Sequence, residues 1–220
     1  WNASTKQWTL LPLANNNVGG RLEAVTPDGK YAVGVCTNGG YDEVPVMWDI
    51  TTGTIIPLEG LPTCDLSGLY QAMTRLTGIS ADGRYIVGCV SYSYPSDVLY
   101  FLYDRTLKKW DAIAFDYNAV QRTFTVRDNT VRTLDGITIS PNGKWVAGVV
   151  YSTSDVRNPF RYNVETQTFE NFNRPEDLDK GCVIVDNNGT IYAATPAVNP
   201  SRSLYILNDG YWYGIEEVLK

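Results

Sequence analysis

The stretch Ala24-Val25-Thr26-Pro27-Asp28-Gly29-Lys30-Tyr31-Ala32-Val33-Gly34 places two short apolar runs on either side of an Asp-Gly pair. β-Branched and aromatic residues suit a pleated, half-buried strand, and Asp-Gly supplies the positive φ that a tight hairpin turn demands. The stretch therefore predicts a hairpin. Related stretches begin at Gly78, Ile137 and Val183 and turn at Asp82-Gly83, Asn142-Gly143 and Asn188-Gly189.

Downstream of each hairpin an aromatic residue is followed seven positions later by a second apolar one: Trp48/Ile55, Tyr103/Trp110, Tyr162/Phe169 and Tyr205/Trp212. Trp1/Trp8 repeats the spacing. Turn residues such as Thr51-Thr52-Gly53 and Asn208-Asp209-Gly210 lie between the markers, so a second hairpin follows the first and each unit reads as four antiparallel strands. An odd separation would place the two markers on opposite faces of one strand, but the intervening turn resets the alternation, and both are expected to face one neighbour as inter-sheet packing.

Four-stranded units recurring at roughly fifty residues predict an all-β fold, a β-propeller of antiparallel blades. Residues 1–220 are read as one domain, with a half blade at 1–13 and complete blades at about 22–60, 73–115, 134–172 and 181–220. The half blade has no complement at the other end. A ring closes by pairing its terminal strands, and open edges invite other chains. An incomplete ring is therefore expected: a piece of a longer propeller, or one whose edges meet a second copy or additional domains.

The unit from Ala24 to Val35, followed by Val46-Met47-Trp48-Asp49-Ile50-Thr51-Thr52-Gly53-Thr54-Ile55-Ile56-Pro57-Leu58, resembles the bacterial extracellular HAF repeats and is similar to WD-repeat and TolB-type propeller blades. The second unit, 78–113, matches nearly as well; the third is weaker, and the fourth places Ile206-Leu207 after its aromatic. WD repeats usually carry a Gly-His pair, and this chain has no histidine, which favours the HAF or TolB-like resemblance. The resemblance implies a secreted, periplasmic or cell-surface bacterial setting and a binding surface, with no catalytic residues to carry over.

Composition removes several chemistries. The absence of histidine excludes a Ser-His-Asp or Cys-His unit within the chain and takes away the commonest zinc ligand. A net charge of −6 argues against nucleic acid, whose binders displace counterions with Lys and Arg. No apolar run reaches the ~18 residues of a membrane-spanning helix, so no membrane insertion is expected. The four cysteines, Cys36, Cys64, Cys89 and Cys182, show no CxxC spacing. Cys36, Cys89 and Cys182 lie in apolar runs and read as small buried hydrophobes, while the redox state of Cys64 is left open. No metal site, cofactor or carboxylate pair at catalytic spacing stands out.

If each blade runs through strands a, b, c and d, the short a–b and c–d turns share one end and the b–c and d–a connections the other. The second end carries the long segments 38–45, 60–71, 92–97, 116–133, 152–159, 173–180 and 196–203. Long loops commonly carry function. The candidate ligand-binding residues are Tyr41, Asp42 and Glu43, then Tyr92, Tyr94 and Asp97, then Arg122 and Arg127, then Asp155 and Arg157. Tyrosines beside carboxylates and guanidinium groups suit a sugar or a peptide. Alternation through 121–132 also fits an extra hairpin on the rim. The expected function is non-enzymatic recognition of a protein or glycan through this face. The alternatives are a glycan hydrolase or lyase working with Asp, Glu, Tyr or Arg, and a purely structural repeat region of a larger surface protein.

Overall fold

A computed structural model describes residues 6–14, 17–37, 43–59, 73–91, 98–113, 115–118, 123–126, 137–151, 157–173, 182–194, 204–208 and 210–214. It contains four antiparallel sheets of four strands and a two-stranded hairpin, with no helix among the described residues. Blade 1 is β1 (Gly19–Val25), β2 (Tyr31–Thr37), β3 (Glu43–Asp49) and β4 (Thr54–Ile56). Blade 2 is β5 (Met73–Ile79), β6 (Tyr85–Ser91), β7 (Val98–Asp104) and β8 (Lys109–Ile113). The hairpin β9 (Phe115–Asn118) and β10 (Thr123–Val126) follows. Blade 3 is β11 (Thr138–Ile139), β12 (Trp145–Tyr151), β13 (Arg157–Asn163) and β14 (Phe169–Asn171). Blade 4 is β15 (Cys182–Val185), β16 (Ile191–Ala194), β17 (Leu204–Asn208) and β18 (Tyr211–Gly214). Within each blade the strands pair in sequence order, which is the β-propeller architecture, and the four blades do not close into a ring.

The turn chemistry explains why each blade begins with a tight hairpin. Thr26 is buried; its hydroxyl donates to Asp28 Oδ1 at 2.6 Å and accepts the Tyr31 amide at 3.0 Å. Ser80 and Ser140 repeat this with Asp82 and Tyr85, and with Asn142 and Trp145. The glycines that follow have φ of 71° at Gly29, 71° at Gly83 and 73° at Gly143, which L side chains rarely adopt. Blade 4 solves the problem differently. Its loop is one residue shorter, and Asp186 accepts the Asn188 and Thr190 amides at 2.8 and 2.9 Å on its own carboxylate.

The paired markers face each other across the c and d strands: Trp48 opposes Ile55, Tyr103 opposes Trp110, and Tyr162 opposes Phe169. In blade 4 the partner of Trp212 is Leu207, and Tyr205 opposes Gly214 instead. Tyr205 and Leu207 are two residues apart on one face, so both are buried and the apolar role passes to the aliphatic residue.

Blades 1, 2 and 4 grip the segment before them through a polar handle on these residues. The Tyr103 hydroxyl donates to the Glu59 carbonyl at 2.7 Å, and the Trp212 indole N–H to the Asn173 carbonyl at 2.7 Å. Trp48 does the same to Pro12 at 2.7 Å. Pro12, Glu59 and Asn173 stand four residues after Trp8, Ile55 and Phe169 in the sequence, so the segment ahead of blade 1 occupies the place of an inter-blade connection. Leu11 and Ala14 there cover the buried Ala32, Cys36, Val46 and Trp48. Replacing Trp48 by Phe keeps a six-membered aromatic ring but removes the pyrrole half of the buried indole and its bond to Pro12. We expect a loss of about 2 kcal/mol, and faster modification of the buried Cys36 thiol in peptide-resolved thiol labelling.

The main core runs through blades 1 to 3, from Val33 and Met47 through Ile86, Tyr100 and Phe101 to Val146 and Phe160. A second cluster joins blades 3 and 4 through Ala147, Val149, Ile191 and Leu207. A third contact also joins neighbouring blades. The aromatic after each turn packs on the turn glycine of the next blade: a Cβ on Gly83 would lie 2.6 Å from the Tyr31 ring, on Gly143 2.7 Å from Tyr85, and on Gly189 2.7 Å from Trp145. A cation covers each ring, with Lys30 and Arg105 over Tyr31, Arg84 over Tyr85 and Arg161 over Trp145. Blade 4 has Thr190 where the others have the aromatic. On its face turned away from blade 3, Ile184, Tyr192, Ile206 and Tyr213 line up in one cross-strand row, with Ile184 56% exposed.

Candidate functional site

The registers place the two ends of the molecule. Ile50 N donates to Lys30 O, and Tyr31 opposes Asp49, so the a–b and c–d turns of blade 1 lie together. Thr37 opposes Glu43 at the other end, as Ser91 opposes Val98 and Tyr151 opposes Arg157. The connections between blades leave from that same end, because β5 begins with Met73 opposite Ser91.

Of the ten residues expected to bind ligand, Glu43 and Arg157 fall among the described residues, each as the first residue of a third strand at the long-connection end. They belong to blades 1 and 3. Tyr41, Asp42, Tyr92, Tyr94, Asp97, Arg122, Arg127 and Asp155 lie outside the described residues. The segments 38–45 and 152–159 run into third strands that already begin at Glu43 and Arg157. The fourth strands β4 and β14 are three residues long and pair with residues 47–49 and 160–162. Pro45 thus sits beyond the part of β3 that pairs with β4, where a missing N–H is tolerated, while Pro159 keeps one bond there by accepting the Phe172 amide on its carbonyl at 2.9 Å. The rim hairpin pairs Phe115–Asn118 with Thr123–Val126, so it begins upstream of the alternating run.

The short-turn end is mostly occupied with itself. Asp49 accepts the Thr51 and Thr52 amides, and Asn163 accepts those of Glu165 and Thr166. In blade 2 Asp104 accepts the Thr106 and Leu107 amides and also pairs with Arg84 through Nη2 at 2.8 Å. Burial pushes the Asp104 carboxyl up, but the Arg84 guanidinium and the two turn amides outweigh it and hold the group below the ordinary carboxylate value.

Beside this turn lies a cleft of about 360 Å3 between blades 1 and 2, lined by Ile56, Pro57, Glu59, Tyr103, Arg105, Thr106 and Lys108. Lys108 forms an ion pair with Glu59 on the rim, which lowers the Glu59 carboxyl and raises the Lys108 ammonium. Burial raises the Tyr103 phenol, so it remains a neutral donor to the Glu59 carbonyl. Among the described residues no three Cys, Asp or Glu side chains converge as metal ligands would. The cleft was not expected from the sequence, where Glu59 and Lys108 stand 49 positions apart.

No protein-family model matches the chain, and no curated protein sequence matches it. Several solved structures are similar in fold. The β-propeller domain of the Trilobed protease from Pyrococcus furiosus, described as having an open velcro topology, gives a TM-score of 0.55 at 12% identity, over 90% of this chain and 57% of that one. A TolB structure from Agrobacterium tumefaciens gives 0.54 at 14% identity, over 87% and 62% of the two chains. Acylaminoacyl peptidase from Pyrococcus horikoshii gives 0.51 at 11% identity, over 90% and 32%. The chain spans less than two thirds of the length of each of these structures. At such identities the likeness shows the β-propeller fold and nothing of the chemistry.

Proposed function

We propose that this propeller is a non-enzymatic recognition module that takes a protein or glycan on its long-connection end. The observation that carries the reading is the contrast between the two ends. Hairpin turns at one end satisfy their own polar groups through Thr26, Ser80, Ser140 and Asp186, whereas every b–c connection springs from the other. Loops released from ladder pairing on a rigid scaffold are where binding residues concentrate. Tyr41, Tyr92 and Tyr94 are the side chains assigned to stacking, with Asp42, Glu43, Asp97, Arg122, Arg127, Asp155 and Arg157 as polar partners. The resemblance of the repeat to HAF and TolB-type blades supports a setting in the bacterial envelope or outside the cell.

The test is a glycan-array and pull-down screen with the whole chain and with a Tyr41→Ala, Tyr92→Ala, Tyr94→Ala triple variant. We expect the parent to retain a defined ligand and the folded variant to lose at least about tenfold in affinity, roughly the worth of a stacked aromatic contact. Turnover of a captured glycan would instead support a hydrolase or lyase. Capture that survives the triple substitution would remove the assigned face.

A further inference from the structure

We propose that the cleft between blades 1 and 2 is a second recognition site, which takes the carboxylate of an acidic peptide side chain on Arg105. It lies at the short-turn end, away from the face assigned above, and does not depend on that assignment.

Three observations converge. Lys108 is already paired with Glu59, so the cation left to a ligand is Arg105, which among the described residues takes part in no ion pair. Its guanidinium carbon lies 5.0 Å from the centre of the Tyr31 ring. Part of the guanidinium is turned to the Tyr31 hydroxyl, and its remaining N–H groups are left to donate to a carboxylate. Finally, Ile56, Pro57 and the Tyr103 ring line the cleft beside the charged groups, an apolar surface suited to the methylene stem of a glutamate.

Charge and size select the ligand. With Arg105 and Lys108 positive and Glu59 negative, the lining carries one net positive charge, which suits a monoanion; a phosphate dianion would meet the Glu59 carboxylate without a second unpaired cation in the lining. A volume of about 360 Å3 sits at the small end of ligand sites and holds one side chain better than an oligosaccharide.

The experiment is an amide NMR titration of the whole labelled chain with an acetylated, amidated Gly-Ser-Glu-Ser-Gly peptide and with the same peptide carrying Gln at its centre. We expect saturable shifts at residues 56–59 and 103–108 with the Glu peptide, with a dissociation constant of about a millimolar. Binding should weaken about tenfold for the Gln peptide and fall with added salt. Arg105→Met should abolish the response. Arg105→Lys, which keeps the charge and loses the fork, should reduce it, and serves if the Met variant disturbs the Tyr31 stack. The Tyr41, Tyr92, Tyr94 triple variant should bind the Glu peptide as the parent does. Equal response to the two peptides, undiminished binding by both Arg105 variants, or no shift at these residues would overturn the proposal.

Discussion

Gly88→Ala is expected to destabilise the chain by about 3 kcal/mol or more, seen as a lower urea midpoint with an unchanged slope. A Cβ at Gly88 would lie 2.1 Å from the backbone oxygen of Arg75, and one at Gly34 2.0 Å from that of Arg21. In both blades the register slips at this level, between Leu76 and Gly78 and between Leu22 and Ala24, so a β-bulge turns the first strand toward the second. The obstacle is backbone, which cannot swing aside as a side chain can. Gly148 offers a graded comparison, because its Cβ would meet the side chains of Ile137 at 2.7 Å and Phe160 at 2.8 Å, and Gly148→Ala should cost less. Blade 4 supplies the control. Ala193 occupies the corresponding place, pairs with Val183 without a bulge, and tolerates its methyl group. Ala193→Gly should cost under about 1 kcal/mol. Equal losses in all three blades would show that the bulge is not the cause.

What was legible in the sequence is what local chemistry decides. Thr26-Pro27-Asp28-Gly29 dictates its hairpin because the hydroxyl, the carboxylate and the glycine act within a few residues of one another. Trp48/Ile55 could be read because a short turn leaves one register. The contacts between blades were harder. Tyr31, Tyr85 and Trp145 recur in the motif, but their stacking on Gly83, Gly143 and Gly189 depends on how one sheet lies on the next. Arg105 over Tyr31 and Lys108 beside Glu59 belong to the same class, since each brings blade 2 onto blade 1. Gly34 and Gly88 were in plain view as the last letters of the repeat, yet the bulge that requires them involves Arg21 and Arg75 on the partner strand. Blade 4 departed for a reason that could be counted. Two positions separate the paired Asn208 and Tyr211, where four separate Asp49 and Thr54, and this shorter c–d turn moves the partner of Trp212 from Tyr205 to Leu207.

The two ends of the propeller therefore answer to different rules. At the short-turn end the described turns satisfy their own amides, so the cleft beside Arg105 stands out against them. At the long-connection end the scaffold ends with Thr37 opposite Glu43, Ser91 opposite Val98 and Tyr151 opposite Arg157, and in the proposed function specificity falls to the connections. A repeat of this kind can change ligand by loop substitution without disturbing the turns that hold the blades in register.

Asp104 is the residue through which acid should act on blade 2. Its carboxylate closes the turn before β8 by accepting two amides, at 2.8 Å from Thr106 and 3.2 Å from Leu107, and its side chain is 12% exposed. Asp104→Ala should cost about 2 kcal/mol for these bonds. Asp104→Asn separates the two roles, because Asn163 already holds the equivalent turn of blade 3 through its own Oδ1. The amide should keep the turn and lose the charge facing Arg84, which is 42% exposed, so solvent screens much of that pair. The folded-state pKa of Asp104 is depressed, so its contribution is complete above the unfolded value near 4 and disappears as pH falls through the folded value. Parent and Asp104→Asn should therefore differ most near neutral pH and converge under acid conditions below about pH 4. Asp28, Asp49 and Asp82 are also held low by turn hydrogen bonds, so the Asp104→Asn variant will still lose stability in acid, with a shallower slope than the parent. Urea midpoints of the parent, Asp104→Asn and Asp104→Ala between pH 3 and 7 decide the matter. A gap between parent and Asp104→Asn that stays constant across that range would show that the ionised carboxylate gains nothing from Arg84 or the turn amides.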